Sequence, residues 1–126
     1  MTKNNFRLLV LDDEQTLLSA MVLRLEKVKN LQVFSASTAE EGLRLLPQVD
    51  AILADCVFPQ ASMFEEAVRK SGKPIVRMSG KIERGLNLTL HKPFSGEELL
   101  DVVQMLQFLH APHGAGARGA GGKLAA

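Results

Sequence analysis

The sequence predicts an α/β sandwich, a parallel five-stranded sheet covered by helices. Two observations carry this. Apolar runs of strand length alternate with segments of helical periodicity, the pattern of βαβ units with right-handed crossovers. The 126 residues, 46% of them hydrophobic, suffice for one domain with a proper core but not for two.

Residues 6–11 (FRLLVL) read as a buried first strand. A helix follows from about Gln15 to Lys29, with Leu17, Leu18, Met21, Leu25 and Val28 at helical spacing. LQVFSA, 31–36, is the second strand. The second helix covers 37–46: Ser37 lies three residues before Glu40 and Thr38 three before Glu41, so either pair can form a capping box, and Pro47 follows the end. AILADC, 51–56, is a third strand that breaks at Asp55. The segment after Pro59 is compact, so the third helix starts early, over 61–70, with Gly72 as its stop. PIVRMS (74–79) and LNLTLH (86–91) are the fourth and fifth strands. SGEE, 95–98, is another capping box, and the last helix runs from it to about Leu109. The folded domain is expected over 5–109. Residues 110–126 are Gly/Ala-rich and aperiodic and read as a disordered tail, whose final KLAA resembles cloning-vector sequence.

The composition excludes several roles. A net charge of +1 argues against binding nucleic acid or a membrane surface through bulk electrostatics, and the absence of Trp and Tyr removes the usual stacking platforms. No apolar run approaches the roughly 18 residues of a spanning helix, and residues 1–10 do not read as a signal peptide. Cys56 is the only cysteine, which excludes an internal disulfide and suits a reducing cytoplasm; it reads as a small buried hydrophobe.

The stretch LLVLDDE, 8–14, runs four apolar residues into Asp12, Asp13 and Glu14. Acidic residues favour a first helical turn, so capping is one explanation. A cation site at the edge of the sheet is the other. The remaining strands bear on the choice. Asp55 closes the third, Ser79 the fourth and Lys92 the fifth. Ligands of open parallel sheets bind outside the carboxyl ends of the strands, where all of these residues fall. Carboxylates facing one another need a divalent cation or a raised pKa, and a hard ion with oxygen ligands, Mg²⁺, answers that need. Lys92 adds a compact positive charge, Ser79 a hydroxyl donor, and Gly80 a backbone N–H with room beside it. The set suits phosphoryl transfer: a carboxylate nucleophile, a metal, and donors for the equatorial oxygens.

With these residues in this order, the chain resembles the receiver domain of two-component response regulators over roughly residues 5 to 109. The matching pieces are VLDDE, DCVFP (55–59), Ser79–Gly80 and HKPF (91–94). The resemblance implies a flavodoxin-like sheet of order 2-1-3-4-5. It further implies that Asp55 accepts a phosphoryl group from a phosphohistidine, with Mg²⁺ held by Asp12, Asp13, Asp55 and the backbone carbonyl of Val57. Ser79 and Gly80 would bind the phosphoryl group, Lys92 would pair with it, and Lys92–Pro93 would be a cis peptide. The partners implied are a histidine kinase or histidine phosphotransferase and a downstream protein. No catalytic turnover of a separate substrate is expected.

Two departures concern output. Between Ser79 and the fifth strand lies at most GKIERGLN, too short for an average helix of about 11 residues plus connections, so the fourth helix of receivers is expected to be short or absent. Thr89 stands three positions before Lys92, where receivers often carry an aromatic switch residue. Any switch is therefore expected to run through residues 80–88. Two other readings stay open: a degenerate receiver that only docks proteins, and a Mg²⁺-dependent phosphatase using an aspartyl-phosphate. The phosphatase is disfavoured because such enzymes usually place a D-x-D pair on the first strand.

Overall fold

The computed structural model describes residues 5–55, 58–79 and 89–110. Five parallel strands, β1 (Phe6–Leu11), β2 (Leu31–Ala36), β3 (Ala51–Asp55), β4 (Ile75–Ser79) and β5 (Thr89–His91), form one sheet in the order β2-β1-β3-β4-β5. The helices are α1 (Gln15–Leu25), α2 (Ala39–Leu45), α3 (Ala61–Ser71) and α4 (Gly96–His110). The reduced helix expected between Ser79 and the fifth strand falls on residues 80–88, outside the described residues, and the last helix is accordingly numbered α4.

Sheet and helices make two cores, which explains the continuous apolar runs. Leu8 and Val10 of β1 face α1 and α4, with Leu53, Val76, Met78 and Leu106. Leu9 and Leu11 face the other way, with Ile52, Ala54, Phe64 and Val68 under α2 and α3. A strand covered on both faces has no side left for polar residues. Phe64 is fully buried, and a Cβ built on Gly42 of α2 would lie 2.8 Å from its ring. The absence of a side chain at Gly42 therefore sets how closely α2 and α3 approach.

Element ends depart from the sequence reading in instructive ways. α1 stops at Leu25, not near Lys29, and tightens into i→i+3 bonds: Lys27 N–H donates to the Arg24 carbonyl and Val28 N–H to that of Leu25. Asn30 then takes a left-handed conformation (φ 61°), which Asn tolerates better than most residues. Val28 still packs on the core, so the periodicity outlasts the helix. Thr38 is the N-cap of α2, its Oγ1 accepting the Glu41 N–H at 3.1 Å, while the Glu41 carboxylate reaches back to the Ser37 N–H at 2.9 Å. Pro47 does not simply follow the helix but sits within a single 3-10 turn over Leu46–Gln48. Gly72 ends α3 at φ 75°, as a left-handed cap requires. The capping box of α4 closes in both directions, Ser95 Oγ accepting the Glu98 N–H and Glu98 accepting the Ser95 N–H. β5 is described over Thr89–His91, the rest of the expected strand, 86–88, lying outside the described residues, and α4 reaches His110.

Candidate functional site

The order of strands reverses direction between β1 and β3, and the crevice at their carboxyl ends is where a doubly wound sheet binds ligands. The residues at that edge are those expected from the sequence. Asp12 directly follows β1 and is fully buried; Asp13 beside it is exposed. Asp55 ends β3 and Ser79 ends β4, both buried. Lys92 follows β5, joined to Pro93 by a cis peptide bond.

Geometry ties these side chains together. The Lys92 ammonium donates to Asp12 Oδ2 at 3.1 Å and to Asp55 Oδ1 at 3.3 Å. Its backbone N–H donates to the Ser79 carbonyl at 2.6 Å, which fixes the ends of β4 and β5 to one another. The second oxygen of Asp12 accepts the Glu14 N–H at 2.8 Å. Asp12 thus answers both readings of the acidic stretch, one oxygen ordering the entry to α1 and the other facing the site. Glu14 occupies the N-cap position but makes no side-chain capping bond, and the first turn of α1 carries no acid. Capping alone therefore does not account for the three carboxylates.

Electrostatics sets the character of the crevice. Burial presses the Lys92 ammonium towards neutrality, but the hydrogen bond and charge of Asp12, joined by those of Asp55, outweigh it and hold the pKa above that of an ordinary lysine. One carboxylate oxygen each from Asp12, Asp13 and Asp55 lies within 4.8 Å of the other two. Three anionic oxygens at that spacing fit a hard divalent cation, and a single ammonium cannot balance them. Two residues expected at the site, Val57 and Gly80, lie outside the described residues, as does Cys56.

The sequence reading missed one pair beside this edge. Arg77 of β4 and Glu65 of α3 form a two-pronged ion pair, Nε to Oε2 at 3.0 Å and Nη2 to Oε1 at 3.1 Å. The available signal was a lone charged residue in the apolar run PIVRMS. Thr89, the position lacking the usual aromatic, opens β5 directly opposite Arg77.

No protein-family model matches the sequence, and no curated protein does. Solved structures match closely in shape. The chain superposes on the chemotaxis response regulator CheY4 of Vibrio cholerae with a TM-score of 0.71 and 23% identity, covering 81% of this chain and 98% of that one. It matches the receiver domain of the Francisella response regulator 1452 with a TM-score of 0.73 and 23% identity, over 85% of this chain and 100% of the other. A two-component response regulator from Clostridium difficile gives 0.72 at 19% identity, over 82% and 97%. The fold is that of response regulator receiver domains.

Proposed function

We propose that this chain is a phosphoacceptor receiver of a two-component phosphorelay, taking a phosphoryl group from a partner's phosphohistidine onto Asp55. The observation that carries this reading is the Lys92 ammonium bridging two buried carboxylates, Asp12 and Asp55, with Asp13 at ligand distance from both. Three strand ends place these groups together. No helix cap or surface ion pair demands such an arrangement.

In the step proposed, a carboxylate oxygen of Asp55 attacks phosphorus, the P–N bond breaks, and the imidazole leaves with the bonding pair. Negative charge is carried from the donor to the Asp55 phosphoryl oxygens. Lys92, already within reach of Asp55, pairs with that charge, and the Ser79 hydroxyl donates to it from the end of β4. Asp12, Asp13 and Asp55, with the Val57 carbonyl, would hold Mg²⁺, which neutralises phosphoryl oxygens and so lowers the cost of bringing an anion to an acidic crevice. The upstream partner is a histidine kinase or histidine phosphotransferase, and the output is contact with a downstream protein. Among the described residues, no helix is long and apolar enough to cross a membrane.

The nucleophile can be identified chemically. Borohydride reduces an acyl phosphate to the alcohol, so phosphorylated protein reduced in this way should yield homoserine at position 55. Reduction at Asp12 or Asp13 instead would assign the nucleophile to the first strand, as in the phosphatase reading.

A further inference from the structure

Thr89 Oγ1 is buried, yet it has no hydrogen-bond partner among the described residues. A buried hydroxyl left in this state costs free energy and calls for a reason. Its neighbour supplies one. Thr89 lies opposite Arg77 in the β4–β5 register, and paired residues of parallel strands point to the same face. The guanidinium has five N–H groups, and the pair with Glu65 engages only Nε and Nη2 of it. A donor-rich side chain thus stands beside a buried, unfilled acceptor.

Arg77 also occupies a distinctive mechanical position. Among the described residues, Arg77–Glu65 is the one ion pair joining β4 to α3. α3 follows Asp55 after a short connection, whereas Ser79 lies two residues beyond Arg77 on the same strand and the same face. β4 and β5 are bonded at their ends through Lys92 N–H and the Ser79 carbonyl. An anion on Asp55 that draws Ser79 and Lys92 inward moves β4 and β5 together, relative to α3. Such a shift strains the two-pronged pair with Glu65, whose parallel bonds tolerate little displacement, and leaves the Arg77–Thr89 spacing unchanged. With side chains 30% and 27% exposed, the Arg77–Glu65 pair is open enough to water to be given up.

We propose that Arg77 is a positioning residue that exchanges partners, holding Glu65 on α3 while Asp55 is unmodified and turning to Thr89 Oγ1 on β5 once Asp55 carries a phosphoryl group. The exchange substitutes for the absent aromatic and delivers the state of Asp55 to α3. It rests on the phosphoacceptor reading above.

The test uses the full chain with Mg²⁺ and beryllofluoride, with fluorine NMR to follow uptake and hydrogen exchange of residues 61–71 to follow α3. Beryllofluoride should raise exchange across α3 several-fold in the wild type and in Thr89→Ser. In Thr89→Val, which removes the hydroxyl at nearly constant volume, uptake should persist and the α3 response should vanish. Uptake with an unchanged α3 response in Thr89→Val would overturn the exchange alone. So would uptake by the wild type without any response in α3. Absence of uptake by the wild type would overturn both the exchange and the phosphoacceptor reading.

Discussion

Lys92 reconciles groups that would otherwise repel. Asp12 has no exposed surface, and its carboxylate faces that of Asp55 across one ammonium. Replacing Lys92 with Met takes the ammonium away from two buried carboxylates, and breaking a fully enclosed ion pair costs about 3–5 kcal/mol. The Lys92 side chain is 23% exposed, so a loss of about 2 kcal/mol is expected in urea unfolding at neutral pH without metal. Mg²⁺ should restore part of it by binding only the folded state. The pH dependence has a definite sign. The folded pKa of Lys92 lies above its ordinary value of 10.5, because Asp12 and Asp55 outweigh burial. Its stabilising contribution is therefore complete below that value and is lost as pH rises through the higher folded one. The gap between wild type and Lys92→Met should stay constant from neutral pH to about 10 and close beyond it. A gap that instead closes on acidification towards pH 6 would assign the effect to another group.

At the scale of elements, Gly42 and Phe64 make the clearest case. Alanine is favoured over glycine inside a helix by roughly 1 kcal/mol. Against this, a methyl at Gly42 lies 2.8 Å from a fully buried ring, and overpacking a core costs about 1–3 kcal/mol. The clash should win: Gly42→Ala is expected to lower stability by about 1 kcal/mol in denaturant titration. An increase would mean that α2 and α3 slide apart freely. The same elements show how much the residues alone revealed. β1 and β3 were legible because both of their faces are covered, so they appear as the unbroken apolar runs LLVL and AILA. The end of α1 was not, because Val28 keeps the helical period while the backbone around it has already turned. Ser37 and Thr38 were equivalent on paper; backbone geometry gives the cap to Thr38 and sends Glu41 back to Ser37. Asp12, Asp55, Ser79 and Lys92 were legible as a group because each interrupts a strand at the same edge. Glu65–Arg77 was not, since the pairing depends on which face of α3 meets β4.

Across the whole molecule, charge is disposed differently at the two edges of the sheet. At the edge opposite the site, Asp50 is clasped by Arg7, whose backbone N–H donates to it at 2.8 Å and whose Nη2 donates at 3.0 Å. His110, at the end of α4, lies 3.6 Å from the same carboxylate. Burial works to raise the Asp50 pKa, but the Arg7 hydrogen bonds and the charge of His110 outweigh it and hold the group below its ordinary 3.8. The stabilisation is thus present above that value and lost as pH falls through the lower folded one. Asp50→Asn should be less stable than wild type at pH 7, and the difference should shrink only below about pH 4 in thermal unfolding. A difference that shrinks already between pH 7 and 5 would contradict the assignment of this stabilisation to the Asp50 carboxylate.

On the function proposed above, the edge around Asp50 is a structural clasp and the edge around Asp55 a site for an anion and a divalent cation. The most direct test of that division is intact-mass spectrometry after incubation with acetyl phosphate, with and without Mg²⁺, beside an Asp55→Asn control. The expected result is a gain of one phosphoryl group that requires Mg²⁺ and is absent from the control. An equal gain in Asp55→Asn, or no gain in the wild type together with no beryllofluoride uptake, would contradict it and leave the acidic crevice a docking surface only.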